Sequence, residues 1–316
     1  MTKRDLKLRR CMSAFTGHGE LPQLKTEALR HVGEAYSRNI RRVYALVLFA
    51  PAAIWTSITV QRHTDQIEHR FPNKDPRTRI ALIDQAIKKE MREHAAIFEK
   101  GGTVAQRLID QQHTVSFQML SSQSPEFNDG PEAWMASQII ATWTAFEAMT
   151  GDLWEAALNA KPAILAKLDG RNPSSRSKLG DDPKRIKLDY LYQYDFDLSG
   201  RMGSIFVREK RYSFDRLDGI RDAYREAFSV DGDPVKAIMA DKALDVGSLV
   251  RNNLVHNGGI IDAAYASRAS VLPPEAVGEI GSPILIDGEL VAKINGPLIK
   301  AGHDLVVAVD NWLSSH

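Results

Sequence analysis

Apolar side chains recur at three- and four-residue steps along most of this 316-residue chain, the spacing of amphipathic helices. The clearest run is Pro131–Asn159, with Ile139, Ile140, Trp143, Phe146, Met149, Leu153 and Trp154 spread nearly all round the helix. A helix apolar on most sides is expected to lie buried between neighbours, which makes Trp143 and Trp154 core residues. Further helices are expected over Ile80–Lys100, Val104–Leu120, Ser213–Phe228, Val235–His256 and Leu298–Leu313. Residues 1–40 show little apolar periodicity and read as a weak helix or two. Ile186–Leu198 is ambiguous, Lys161–Leu168 suits a further turn, and Ala263–Glu279 is loose. Polar, Gly- and Pro-containing breaks fall at Phe71–Arg79, Ser121–Gly130 and Gly170–Pro183. One stretch departs from the helical period. Pro283–Ile294 alternates on both sides of Asp287-Gly288, the pattern of a hairpin with a type I′ turn. The expected fold is therefore mostly α, a helical bundle with one small β-hairpin near the C-terminus, preceded by a helical N-terminal region. Residues 1–79 form that region, 80–130 a helical lead-in, and 131–316 the main domain.

Val43–Val60 carries no charged residue over 18 positions and is flanked by Arg41-Arg42 and Arg62. That length is the low end for a membrane span, and Pro51 lies inside it. A buried or kinked helix is the expected reading. Membrane attachment, with the C-terminal domain in the cytosol, is the alternative. Met1–Leu21 is too charged and polar for a secretory signal. The net charge of +1 offers no global attraction to nucleic acid. The charge is uneven, however: residues 171–187 hold six basic side chains against two acidic ones, so a local basic patch is possible. The single cysteine, Cys11, excludes an intrachain disulfide and a thiolate metal cage, which suits a cytosolic protein. No metal and no cofactor is expected.

The densest chemistry lies in Leu249–Ile261, LVRNNLVHNGGII. Arg251 and Asn252 precede His256 on one expected helix, which ends where Gly258-Gly259 can take the left-handed cap conformation. At about 100° per residue, Val246, Val250, Leu254 and Ile261 gather on one side, the expected core face. Asn252 and His256 stack one turn apart on the other half. Arg251 and His256 stand roughly 140° apart and bracket Val255. An apolar residue among three strong hydrogen-bonding groups suggests a second buried surface, such as a partner subunit. Imidazole can move protons near neutrality, and guanidinium can hold a phosphodiester through two parallel hydrogen bonds. RNA brings its own nucleophile, the 2′-hydroxyl, so a proton carrier and a phosphate clamp suffice to cut it.

An arginine, a polar residue, three residues and a histidine, standing here as Arg251-Asn252-Asn253-Leu254-Val255-His256, resembles the signature of the HEPN superfamily of helical ribonucleases. Ala141–Asn159 looks like the first helix of that domain, and Leu217–Phe228 like the helix before the motif helix. The resemblance covers about residues 134–316 and says nothing of 1–130. It implies a helical bundle, a homodimer in which the motif helices meet, and metal-independent endoribonuclease activity. Many relatives are toxins or defence effectors with a neutralising partner. Others keep the fold without activity and bind nucleotides, RNA or protein. Toxins of the nucleotidyltransferase-paired subgroup have a tyrosine two residues after the histidine; Gly258 stands there, so control by modification of that residue is not expected.

Each candidate carries a plainer reading beside the functional one. His256 is the expected acid or base, or else a histidine favoured at a helix C-terminus by the macrodipole. Arg251 is the phosphate clamp or a surface ion pair. Asn252 orients substrate or bonds a nearby carbonyl. Glu147 and Asp152 sit on the apolar helix and need partners. Arg251 is the natural one for a supporting acid, and Lys or Arg elsewhere the plainer choice. Arg208–Arg211 and Lys184-Arg185 hold an RNA backbone or are solvated faces.

Overall fold

The computed structural model describes residues 21–100, 129–162, 188–209 and 212–316, with residue 115 alone between them. Cys11, Lys184-Arg185, Lys210-Arg211, the expected loop Gly170–Pro183 and nearly all of Val104–Leu120, Ser121–Gly130 and Lys161–Leu168 lie outside the described residues. The described chain is helical, without a named strand. It divides into a larger unit of Ser13–Val43, Ala136–Ile286 and Leu290–His316, and a smaller one that includes Tyr44–Met135 and Asp287–Glu289.

Helix α1 (Glu27–Arg70) begins in the larger unit. Leu29, Val32, Tyr36, Ile40 and Val43 are buried along it at three- and four-residue steps. The N-terminal stretch therefore supplies a wall of the larger core, where the sequence suggested only weak helices in a region apart. Asp310 secures its entry, accepting hydrogen bonds from the backbone N–H of Lys25 (2.9 Å) and Thr26 (2.8 Å). The Tyr36 hydroxyl donates to the Ile299 carbonyl at 3.3 Å. Helix α2 is Pro76–Lys100 and α3 is Gly130–Ala160. As its all-round apolarity requires, α3 buries Ile139, Trp143, Phe146, Met149, Leu153, Trp154 and Leu158.

Shorter helices follow: α4 (Leu188–Gln193), α5 (Met202–Arg208), α6 (Leu217–Ala227), α7 (Asp233–Met239), α8 (Lys242–His256) and α9 (Ala263–Ala266). The run expected as one helix over Val235–His256 is two, because Asp241 caps a new start by accepting from the Ala243 N–H at 2.9 Å. The last helix, α10, is Gly288–Ser315.

Helix α10 overturns the expected hairpin. The first arm is extended, with Ile284 and Ile286 buried and Leu285 exposed, and an isolated antiparallel bridge joins Pro283 to Ile260. Asp287-Gly288 is no turn. The Asp287 carboxylate accepts from the Glu289 N–H at 3.0 Å and opens α10. Leu290, Ile294 and Leu298 continue into Leu305 and Val309 on one buried face. A helical period held over so many turns outweighs a short alternation.

In the smaller unit, the rest of α1 and α2 form an antiparallel pair around Phe71–Asp75. Arg62 and His63 both reach Glu90, at 2.6 and 2.8 Å, and Trp55 stacks on His94 with ring centroids 5.8 Å apart. Among the described helices α1 alone is long and apolar enough to cross a membrane, and only 18% of its most apolar window is buried. A single crossing there would separate Ser13–Val43 from Ala136–Ile286, yet both belong to one unit. Between Gln61 and Met135 the sequence has no second charge-free run of that length to bring the chain back.

Candidate functional site

Helix α8 is fixed from three directions. Arg221 of α6 grips its first turn, with Nη1 and Nη2 donating to the two Asp245 oxygens at 2.8 and 3.0 Å and Nε to the Met239 carbonyl at 2.7 Å. Gly247 lies against the Trp143 ring so closely that a Cβ there would stand 3.2 Å from it. At the far end Gly258 and Gly259 adopt φ of 60° and 81°, the left-handed stop expected of this pair. The buried face is Leu244, Gly247, Leu249, Val250 and Asn253. It is centred on Val250 as expected, but Val246 and Leu254 are only half-buried and Asn253 takes a core position.

One turn beyond Gly247 and Trp143, on each helix, Arg251 meets Glu147. Their Nη2 and Oε2 atoms are 3.6 Å apart, and the side chains are 21% and 17% exposed. This is an ion pair longer than a hydrogen bond. Arg251 Nη1 donates to Asn252 Oδ1 at 3.0 Å, while Arg251 Nε is buried with no hydrogen-bond partner among the described residues. The guanidinium is thus half-buried, charge-paired and short of hydrogen-bond acceptors. Glu147 is held above the ordinary carboxylate range, first by burial and then by the charge of Asp215; Arg251 and a hydrogen bond from Trp143 oppose this.

The other expected residues are placed as follows. Asn252, Val255 and His256 are exposed on the side of α8 away from the core. Asn252 accepts a hydrogen bond from Arg251. His256 occupies the last position of the helix, and no hydrogen bond or ion pair involves it among the described residues. Asp152 does not join Arg251. It lies five residues beyond Glu147 on α3, about 140° round the helix, with Glu155 and His31. Burial and the Glu155 charge raise its pKa, and His31 acts against them.

Two neighbours escaped the sequence reading. Asp215 lies before α6, far from α8 in sequence, and no motif marks it. Asn253 was detectable in principle, because the helical wheel puts it between the Leu249 and Val250 rows. Its Nδ2 donates to the Ile260 carbonyl at 2.9 Å, and its Oδ1 is buried with no partner among the described residues. That bond ties the end of α8 to the chain just beyond its glycine stop, where Ile260 faces outward and bridges Pro283. Val255 (47% exposed), Ile260 (43%) and Leu285 (47%) leave apolar surface at this end of the unit.

The chain matches no protein-family model, no curated protein and no solved structure.

Proposed function

We propose that this protein is a metal-independent endoribonuclease of the HEPN type that works as a homodimer through α8. The observation that carries the reading is the state of Arg251: a guanidinium held half-buried by Glu147, with Nε unfilled, on the helix that ends at an uncommitted His256. Arg251 binds the scissile phosphate and stabilises the charge that builds on it. His256 takes the proton from the 2′-hydroxyl as its oxygen attacks phosphorus. The bond to the 5′-oxygen breaks, and that oxygen is protonated by a second imidazole or by water. The products are a 2′,3′-cyclic phosphate and a 5′-hydroxyl. Asn252 keeps the guanidinium oriented through its own hydrogen bond, and Glu147 is a positioning residue. Asp152 has no part in this site. The exposed Val255, Ile260 and Leu285 support a second copy as the dimer partner. A toxin or defence role in the cytosol, with a neutralising protein, follows the same resemblance.

One observation favours a non-catalytic module that binds nucleotide, RNA or a protein partner. Arg251 and His256 are not in contact within one chain, and the guanidinium already has a carboxylate beside it. Incubation of purified protein with RNA in excess chelator separates the two. Cyclic-phosphate ends that vanish in His256→Ala support the nuclease. Intact RNA across structured and unstructured substrates rejects it.

A further inference from the structure

Arg251 has no two-point contact to offer a phosphate while its own ion pair is closed. A guanidinium presents two such edges, one made by Nε and Nη2 and the other by Nη1 and Nη2. Both edges use Nη2, and the Glu147 carboxylate stands beside that atom, with Oε2 at 3.6 Å. Nε is buried, which turns the first edge away from solvent. The second edge ends at Nη1, which donates to Asn252 Oδ1 at 3.0 Å. Asn252 is exposed, so that bond exchanges readily for one to an incoming oxygen. Glu147 is more firmly set. Its side chain is only 17% exposed, and it takes a hydrogen bond from Trp143, one turn earlier on α3.

The two helices leave no slack at this level. One turn away Gly247 lies against the Trp143 ring, where even a Cβ would stand 3.2 Å from it. Opening the fork therefore falls to the side chains and their charges. The groups facing Glu147 are the Arg251 cation from α8, the Asp215 carboxylate ahead of α6 and the Trp143 N–H from its own helix. Burial first, and then Asp215, favour the neutral carboxyl; Arg251 and Trp143 favour the ionised one. A phosphate on the guanidinium adds an anion next to Glu147 and offsets the cation that keeps it ionised, so it drives Glu147 toward the neutral form.

We infer that Glu147 is a proton-released block on the Arg251 phosphate site: a phosphodiester seats on the Nη1–Nη2 edge as the Glu147 carboxylate takes up one proton from solvent and gives up the cation. This rests on Arg251 being the phosphate clamp, and it adds regulation by pH to the positioning role of Glu147. The neutral carboxyl carries an O–H donor where the ionised one carried a repelling charge. Because one proton is bound with the phosphate, affinity falls as pH rises, by at most about tenfold per pH unit. The fall begins at the folded pKa of Glu147 in the free protein, already above its ordinary value of about 4.3. It ends at the higher pKa that Glu147 has with phosphate in place.

The test is fluorescence anisotropy with a labelled 12-nucleotide single-stranded RNA, from about pH 5 to pH 8 at constant ionic strength. The protein is full-length His256→Ala, which leaves the probe intact and removes the imidazole of α8. Its affinity should fall with rising pH. Adding Glu147→Gln should tighten binding about tenfold or more at the upper end and flatten the dependence. Adding Asp215→Asn, at an exposed position, should move the dependence to lower pH, because a charge that favours the neutral carboxyl is gone. If Glu147→Gln fails to fold, a dependence that Asp215→Asn leaves in place overturns the block. So do equal affinity and equal pH slope with and without Glu147→Gln; if Arg251→Ala still weakens binding, the clamp survives. Binding that ignores Arg251→Ala, or no binding even with Glu147→Gln, rejects the clamp and the block together.

Discussion

Replacing Arg251 by lysine and by alanine separates its chemistry from its packing. Arg251 and Glu147 lie 3.6 Å apart, each with about a fifth of its side chain in solvent. Alanine leaves the Glu147 carboxylate facing Asp215 without a cation. Breaking a fully buried pair costs about 3–5 kcal/mol and an exposed one about 0–1. The remaining exposure places this one between, at about 1–2 kcal/mol, or a melting point lower by roughly 3–8 °C. Lysine keeps the charge beside Glu147 and loses the planar fork. Its stability should stay within about 1 kcal/mol of the native protein. Cleavage should behave differently, because both variants lack two-point contact with the phosphate. A loss of about 10²- to 10³-fold in rate is expected for each, the size seen when one aligned donor to a transition-state oxyanion is removed. Thermal melts and initial cleavage rates on one RNA measure the two effects separately. If Arg251→Lys cleaves at the native rate, the clamp is wrong. If activity falls only in proportion to stability across both variants, Arg251 is a structural ion-pair partner.

Four further outcomes are expected. Glu147 has a folded pKa raised above its unfolded value of about 4.3, so its contribution to stability is fully present below that value and is lost as pH rises through the folded pKa. Glu147→Gln should therefore match the native protein in acid and gain on it with rising pH; a melting-point difference that does not change with pH rejects this. Gly247→Ala puts a Cβ 3.2 Å from the Trp143 ring and should cost about 1–3 kcal/mol, read as a lower melting point with altered near-ultraviolet dichroism. Val255→Asp with Leu285→Asp should give a folded monomer by light scattering, with cleavage lost; a native protein that is already monomeric when it cleaves contradicts the shared site. Alkaline carbonate should release the protein from membranes, and retention in the pellet would show that α1 is anchored.

Much of this fold could be read from spacing alone. Helix α3 declares its burial because it is apolar on every side, and the glycines after His256 mark the stop of α8. The errors arose where two periods fit one short string. Leu290 to Ile294 suits a strand or a helix, and only the buried row running on to Val309 decides between them. The N-terminal part of α1 was missed for a different reason. Leu29, Val32, Tyr36 and Ile40 are correctly spaced, but the charges between them hide the row, and its partners on α10 lie more than 250 residues away. In the candidate site, Arg251 and Glu147 could be paired in advance because a charge on an apolar helix needs an opposite. Asp152 met the same criterion and took a different neighbour. Composition identifies a need for a partner, and only the rotation of α3 decides which partner is reached.

The same rotation governs what one chain can do. Arg251 and His256 differ by five positions on a regular helix, which separates them by about 7.5 Å along the axis and 140° around it. The guanidinium turns in toward Glu147 and the imidazole turns out toward solvent. A phosphate seated on this Arg251 is therefore badly placed for this His256, and Asn252 does not join them, since its carboxamide oxygen is turned to the guanidinium. In the proposed dimer, a second α8 related by a two-fold axis would set the imidazole of one copy against the arginine of the other. The apolar side chains beside His256, at Val255, Ile260 and Leu285, are what such an axis would bury. Catalysis and association are consequently one hypothesis for this chain, and an active monomer would remove both.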